Sequence, residues 1–221
     1  YVAAITEPGE RVDAELSDLQ LEKHVIYRSR EVIVNANWKS VSDAFMEGYH
    51  FRVVHRDSVY PFYADNQGAF DTMGPHYRYF LAHKNFADMA LVEPQERELR
   101  KHCLMVYQLF PATSIQVLPD HLFVHTLLPF GVDKCVARNT MLIRDPVNDD
   151  KAEHYWRTNY DMVVNALDED HCIAESTFRG LSSGINPDLI FGRFEQGIVH
   201  MHARSAEALN CKLTLPLAAK S

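Results

Sequence analysis

The chain has 221 residues, enough for one domain with a sizeable core and few for several. Hydrophobic residues make up 47% and charged residues 24%, the balance of an ordinary globular protein, which excludes a fibrous or disordered chain. The formal charge is −8 and Lys and Arg are scattered, which argues against a nucleic-acid partner or a polybasic membrane patch.

No run approaches the roughly 18 apolar residues of a spanning helix, and no signal-peptide pattern is read at the start, so no membrane is expected. Cys103, Cys135, Cys172 and Cys211 lie far apart and form no CxxC pair. They read as buried thiols of a reducing compartment, the cytoplasm, rather than as a disulfide framework.

The first readable element is HVIYRSREVIVNANWK, residues 24–39, whose β-branched residues and partial alternation suggest a strand or two. A short helix follows, with Ser40 or Ser42 as N-cap and Val41, Phe45 and Tyr49 on its apolar side. Residues 56–98 show no clear period and read as an irregular lid or pocket wall. Tyr63, Phe70 and Tyr79 in this segment are candidates for a pocket, a lid or a subunit contact. From 100 to 144 the segments HCLMVYQLF, TSIQVL, HLFVHTLLPF and KCVARNTMLIR read as strands, with PA, PD and GVDK between them.

Such a meander needs one covered face. The cover is the next element, a helix of roughly eight or nine turns, capped by Asn148 or Asp149 and stopped by Gly184 and Pro187. Trp156, Tyr160, Val163, Leu167, Asp170, Ala174, Thr177 and Leu181 recur along it at steps of four and three, an inward stripe. The expected fold is α+β, one domain over residues 1–221, in which an antiparallel sheet packs on a long helix in the C-terminal half. This is a helix-grip (START/Bet v1-like) arrangement with a cavity between sheet and helix.

One member of that stripe, Asp170, is charged, and a buried carboxylate is unfavourable unless paired. A salt bridge is the ordinary explanation. The stretch FMEGYHFRVVH adds His50 and His55, with Glu47 three residues before the first. Five residues turn a regular helix by about 140°, so these imidazoles converge only where the helix ends or distorts. Two imidazoles and one carboxylate form the facial triad suited to non-haem Fe(II), with positions left open for O2 and substrate. The same set suits catalytic zinc. Three functions stay open on the residues alone: an oxygenase, a metal-free carrier of a hydrophobic ligand, and a zinc hydrolase with Glu47 as general base.

Three spaced motifs, from about residue 20 onward, carry a resemblance. Asn37-Trp38-Lys39 followed by EGYHFRVVH is similar to the NWK…E/D-x-Y-H-x4-H signature of Rieske non-haem iron oxygenase large subunits. DEDHCIAESTFRGLSSG, residues 168–184, resembles that family's second signature through Asp170 and Glu175. GRFEQGIVHMHARSAEAL, residues 192–209, resembles its GRY…E…HFH ending. The resemblance implies that His50, His55 and Asp170 hold the catalytic Fe(II). It also implies that Glu47, where many members have Asp, bridges to a Rieske-cluster ligand on a neighbouring subunit.

Asp43 stands where Asn is frequent near the iron, and Phe178 replaces the usual Gln. Residues near the ligands, Phe51, Val54, Val163, Ala166 and Leu167, join Asp43 as candidate contacts for a small apolar or aromatic substrate. No Cys here is followed two or three residues later by His, so the CxH and CxxH pairs of the [2Fe–2S] domain are missing from this sequence. That cluster is expected on an absent domain or a partner chain. The resemblance further implies a ferredoxin and/or reductase as electron donor, O2 as co-substrate, a homotrimer, and hydroxylation, dihydroxylation or dealkylation in aromatic catabolism.

Overall fold

The computed structural model describes residues 10–185 and 189–211. Its centre is one sheet of seven strands: β1 (Val25–Val34), β2 (Tyr63–Met73), β3 (His76–His83), β4 (Cys103–Leu109), β5 (Thr113–Val117), β6 (His121–Pro129) and β7 (Cys135–Ile143). The order across the sheet is β1-β7-β6-β5-β4-β3-β2, and every neighbouring pair is antiparallel. Side chains alternate between its faces, so one cross-strand row runs Tyr79, Val106, Gln116, Phe123, Met141 on the concave side. Among the described residues no helix is long and apolar enough to cross a membrane.

The concave face is covered by α4 (Asp150–Ser182), the long helix after α1 (Glu10–Asp18), α2 (Trp38–Ala44) and α3 (Phe51–Val54). Asp149 caps α4, its carboxylate accepting the Ala152 N–H at 2.7 Å. Gly184, at φ +68°, follows its end in the left-handed region that glycine tolerates. Tyr160, Val163, Leu167 and Ala174 pack into the core against Val106, Phe123 and Met141. Trp156, Leu181 and Thr177 depart from the expected stripe: the first two are half-buried and Thr177 is exposed. The first turns of the helix also hold the sheet, where Glu153 accepts the Tyr27 hydroxyl at 3.0 Å and the Trp156 ring lies 5.8 Å from His121. Pro187 lies outside the described residues.

Four expectations are corrected. Residues 56–98 are not irregular throughout, because β2 and β3 form a hairpin at the sheet edge. Most of β2 is exposed, so its sequence lacks the apolar alternation that marks a covered strand. The short helix α2 is capped by Asn37, whose Oδ1 accepts the Lys39 N–H at 3.0 Å, and not by Ser40 or Ser42. It ends at Ala44, which leaves Tyr49 outside it and exposed. Of the four free cysteines only Cys103 and Cys135 are buried; Cys172 and Cys211 are exposed.

Two helices complete the fold. α1 lies on the convex face, where Val12 joins Met73, Tyr107, Ile115 and Leu122 in a second core. α5 (Gln196–Ala208) packs Ile198 and Met201 on Met46, Tyr77 and Phe110. A Cβ at Gly197 would meet the Tyr77 ring at 3.2 Å, a contact tight enough that ring or helix would have to shift.

Candidate metal centre

The chain between α2 and α4 explains how two histidines five apart converge. His50 stands immediately before the single turn α3 and His55 immediately after it. Each imidazole stands at an end of that one turn rather than within a longer helix, and their rings meet with centroids 5.0 Å apart. The Nε2 atoms lie 3.2 Å apart. Asp170 Oδ1, brought across by α4, stands 3.3 Å from His50 Nε2 and 3.0 Å from His55 Nε2. His55 is 1% exposed and Asp170 5%.

The far sides of both rings are occupied. His50 Nδ1 donates to Glu47, and the same carboxylate accepts the Tyr49 backbone N–H and, at 3.3 Å, that of His50. His55 Nδ1 donates to Glu169 Oε2 at 2.7 Å, and Ser58 Oγ donates to that same oxygen at 2.6 Å. With the Nδ1 protons committed outward, both Nε2 lone pairs point at the Asp170 carboxylate. Asp170 Oδ1 itself has no well-directed hydrogen bond. As electron-pair donors facing one another, the three groups repel unless a proton or a metal cation stands between them. His50, His55 and Asp170 are also the group whose ligand atoms all lie within 4.8 Å of one another. Two imidazoles, one carboxylate and carboxylate-backed rings fit a mononuclear divalent metal such as iron.

The electrostatics agree. Burial works to lower His50, but the Asp170 and Glu47 carboxylates outweigh it and hold the imidazole up at about 9. Burial likewise opposes charge on His55, which Asp170 and Glu169 raise. For Asp170 burial pushes upward, and the two imidazoles overcome it and hold the carboxyl below its ordinary value. The site favours positive charge at its centre.

A cavity of about 450 Å³ opens from the triad between α4 and the sheet. Of the candidate contacts, Phe51, Val163, Ala166 and Leu167 line it. Val54 and Asp43 do not. Asp43 lies toward α5, where His202 Nε2 donates to its carboxylate at 2.9 Å. Glu47 is also absent from the cavity wall. It lines a separate groove of about 270 Å³ beside Tyr49 and Phe194, so it touches His50 from the side away from the cavity.

The three acidic residues in a row divide their work. Asp168 binds Arg30 of β1, with 2.6 Å between Nη2 and Oδ1; Glu169 backs His55; Asp170 faces both imidazoles. Glu169 and Ser58 are the site residues that the sequence does not single out. The only signal for Glu169 is its place between two carboxylates in DED, and Ser58 has none. Other motif residues brace this corner: Glu175 accepts the backbone N–H of Asn35 at 2.8 Å, just before α2. The Gly192–Glu195 turn packs on Tyr49, whose ring would lie 2.8 Å from any Cβ at Gly192.

An antiparallel sheet closed over a long helix, with a cavity and a cluster of two histidines and one carboxylate between them, defines a helix-grip domain of the metal-binding kind. Residues 12–210 match the family described as "Ring hydroxylating alpha subunit (catalytic domain)", and the chain belongs to that family. No curated protein matches the sequence. Among solved structures, the quaternary ammonium Rieske monooxygenase CntA with an inhibitor bound aligns at a TM-score of 0.66 and 15% identity, over 84% of this chain and 50% of that one. Dicamba monooxygenase bound to dicamba aligns at 0.57 and 12% identity, over 85% of this chain and 60% of that one. Naphthalene 1,2-dioxygenase from Rhodococcus sp. bound to indole gives 0.55 and 15%, over 84% and 57%. These likenesses concern the fold. The chain spans 50% to 60% of the length of these three structures.

Proposed function

We propose that this chain is the catalytic part of a Rieske-type oxygenase, in which His50, His55 and Asp170 hold one Fe(II). The reaction hydroxylates, dihydroxylates or dealkylates a small apolar or aromatic molecule, with electrons from a [2Fe–2S] cluster on another domain or chain. The observation that carries the proposal is the convergence of two carboxylate-backed Nε2 atoms and a buried carboxylate at one end of an apolar cavity. The chemistry that Fe(II) supplies when bound is the activation of O2 with electrons delivered from outside the chain.

The chain's own residues prepare the rest. Glu47 and Glu169 fix the tautomer and orientation of His50 and His55, so each Nε2 is presented as a lone pair. Phe51, Val163, Ala166 and Leu167 give the cavity an apolar wall that excludes water and positions a substrate by shape. Glu47 lines the outer groove and bonds His50, which makes it the residue through which a Rieske domain seated in that groove reaches the triad. That arrangement suits a homotrimer in which each subunit's cluster serves the next. A ferredoxin or reductase in the cytoplasm supplies the electrons.

Two other readings fit less well. A hydrophobe carrier has no use for the converged triad. A zinc hydrolase needs its general base on the substrate side, whereas Glu47 lies across His50 from the cavity. The test is turnover with an apolar aromatic probe, iron and O2, with and without a reduced Rieske partner. Product is expected only with the partner, and Glu47→Gln should retain iron while slowing that coupled reaction. Steady turnover by this chain with NADH alone would contradict the proposal.

A further inference from the structure

A buried tyrosine hydroxyl ordinarily finds a partner. The half-buried Tyr27 Oη donates to Glu153 at 3.0 Å. The Tyr77 hydroxyl is sealed in the core without a partner, whereas Tyr63 lines the cavity. It is only 9% exposed and lines the large cavity, yet among the described residues its hydroxyl makes no hydrogen bond. It is also not among the polar atoms sealed inside the core. Tyr79 and Gln116, which share a cross-strand row through Val106, line the same cavity in the same unpartnered condition. The cavity wall therefore carries three polar groups that have no hydrogen-bond partner among the described residues.

The position of Tyr63 relative to the triad is fixed by stacking. The Phe51 ring lies 4.9 Å from each of the His50 and His55 rings, and Tyr63 packs edge-on against Phe51 at 5.3 Å. Its other side meets His83 at 5.0 Å. A ring held on both sides presents its hydroxyl at a constant offset from the metal ligands. Burial pushes the Tyr63 and Tyr79 phenols upward, so both remain protonated donors at neutral pH. The one Lys or Arg among the described lining residues is Lys84, exposed at the rim. Burial lowers the His83 imidazole that packs on Tyr63, so the positive charge available to a carboxylate there would be that of the triad itself, whereas a neutral acceptor needs none.

We infer that the cavity takes a compact apolar molecule bearing one neutral oxygen acceptor, a ketone, ester or ether, and that the Tyr63 hydroxyl donates to it and orients the molecule toward the triad. This rests on reading the cavity as the substrate site of the proposed oxygenase. Tyr63 is a positioning and specificity residue in this scheme. It exchanges no proton with the reacting atoms.

Three probes of nearly equal shape test it: ethylbenzene, acetophenone and benzoate, titrated calorimetrically under anaerobic conditions into Fe(II)-treated protein. In Tyr63→Phe, acetophenone binding should weaken about threefold to tenfold, the worth of one neutral hydrogen bond, while ethylbenzene binding is unchanged. Benzoate should bind wild type more weakly than acetophenone. An acetophenone-to-ethylbenzene ratio that is the same in wild type and Tyr63→Phe would overturn the inference, as would benzoate as the tightest ligand. Iron content measured on the same samples separates the two ideas. Lost selectivity in Tyr63→Phe supports the cavity assignment even where no iron is retained, a result that would sink the oxygenase reading alone. Retained iron with no selectivity sinks only the role of Tyr63.

Discussion

Asp170 and His171 are consecutive on α4 and belong to two buried histidine clusters of opposite character. On one side His50 and His55 face Asp170, each backed by a carboxylate, and His50 is held up at about 9. On the other side His125 pairs with Asn139 across β6 and β7 and lies against Phe45 at 4.4 Å and His171 at 5.9 Å. There burial dominates, and His125 is pushed down to about 4. Burial lowers His171 as well. The imidazoles are alike and the burial is alike. What differs is the charge around the rings: Asp170 first, with Glu47 and Glu169 behind it, in one cluster, and only the Asn139 amide on His125 in the other. A carboxylate on Nδ1 turns a buried histidine toward cations, whereas an amide leaves it a neutral piece of core.

The most drastic way to break this contrast is His125→Ala. It removes packing from Phe45 and leaves Asn139 without its partner, so urea unfolding should show a loss of about 2–4 kcal/mol. Iron stoichiometry should not change. Loss of iron in that variant would mean that the two clusters are not separate. Next comes Glu169→Gln, which keeps the size of the side chain but removes the charge behind His55. Competition with a metal chelator should show iron affinity lower by roughly 10–100-fold. Unaltered affinity would show that the backing charge is not what distinguishes the triad.

The smallest expected effect sharpens the comparison with a third, half-exposed pair. Asp43 raises His202 above its ordinary value, although burial also raises the Asp43 carboxyl and weakens the pair. A histidine raised in the folded state contributes its stability below its unfolded value of about 6.5, and that contribution is lost as pH climbs through the raised folded value. Denaturation of His202→Asn against wild type should therefore differ by about 1 kcal/mol at pH 6 and by less at pH 9. A difference that grows with pH would reverse the sign of the argument.

Legibility in the sequence followed burial. β7 and the helix through Asp170 are covered on one side, so their apolar residues recur with the right period, while β4, buried on both faces, reads as a nearly continuous apolar run. The β2–β3 hairpin was illegible because an edge strand that is exposed over most of its length carries Asp65, Asn66, Gln67, Gly68 and Asp71 without penalty. Helix α1 is illegible for a related reason: in a segment as polar as ERVDAELSD, only Val12 and the half-buried Leu16 pack on the convex core. At the site, His50, His55 and Asp170 were readable from spacing and from one charge on an apolar stripe. Glu169 was not, since only the fold shows that α4 turns it toward His55 while Asp168 turns to Arg30. Asp43 was misplaced because motif position gives no side-chain direction, and α2 carries it toward His202 rather than the cavity.

The central claim is that carboxylate-backed convergence at Asp170 makes an iron site. The most direct test is iron content after anaerobic Fe(II) reconstitution and desalting, for wild type beside Asp170→Ala. The account expects about one iron per wild-type chain and background in the variant. Equal iron in both proteins, or none in either, would contradict it.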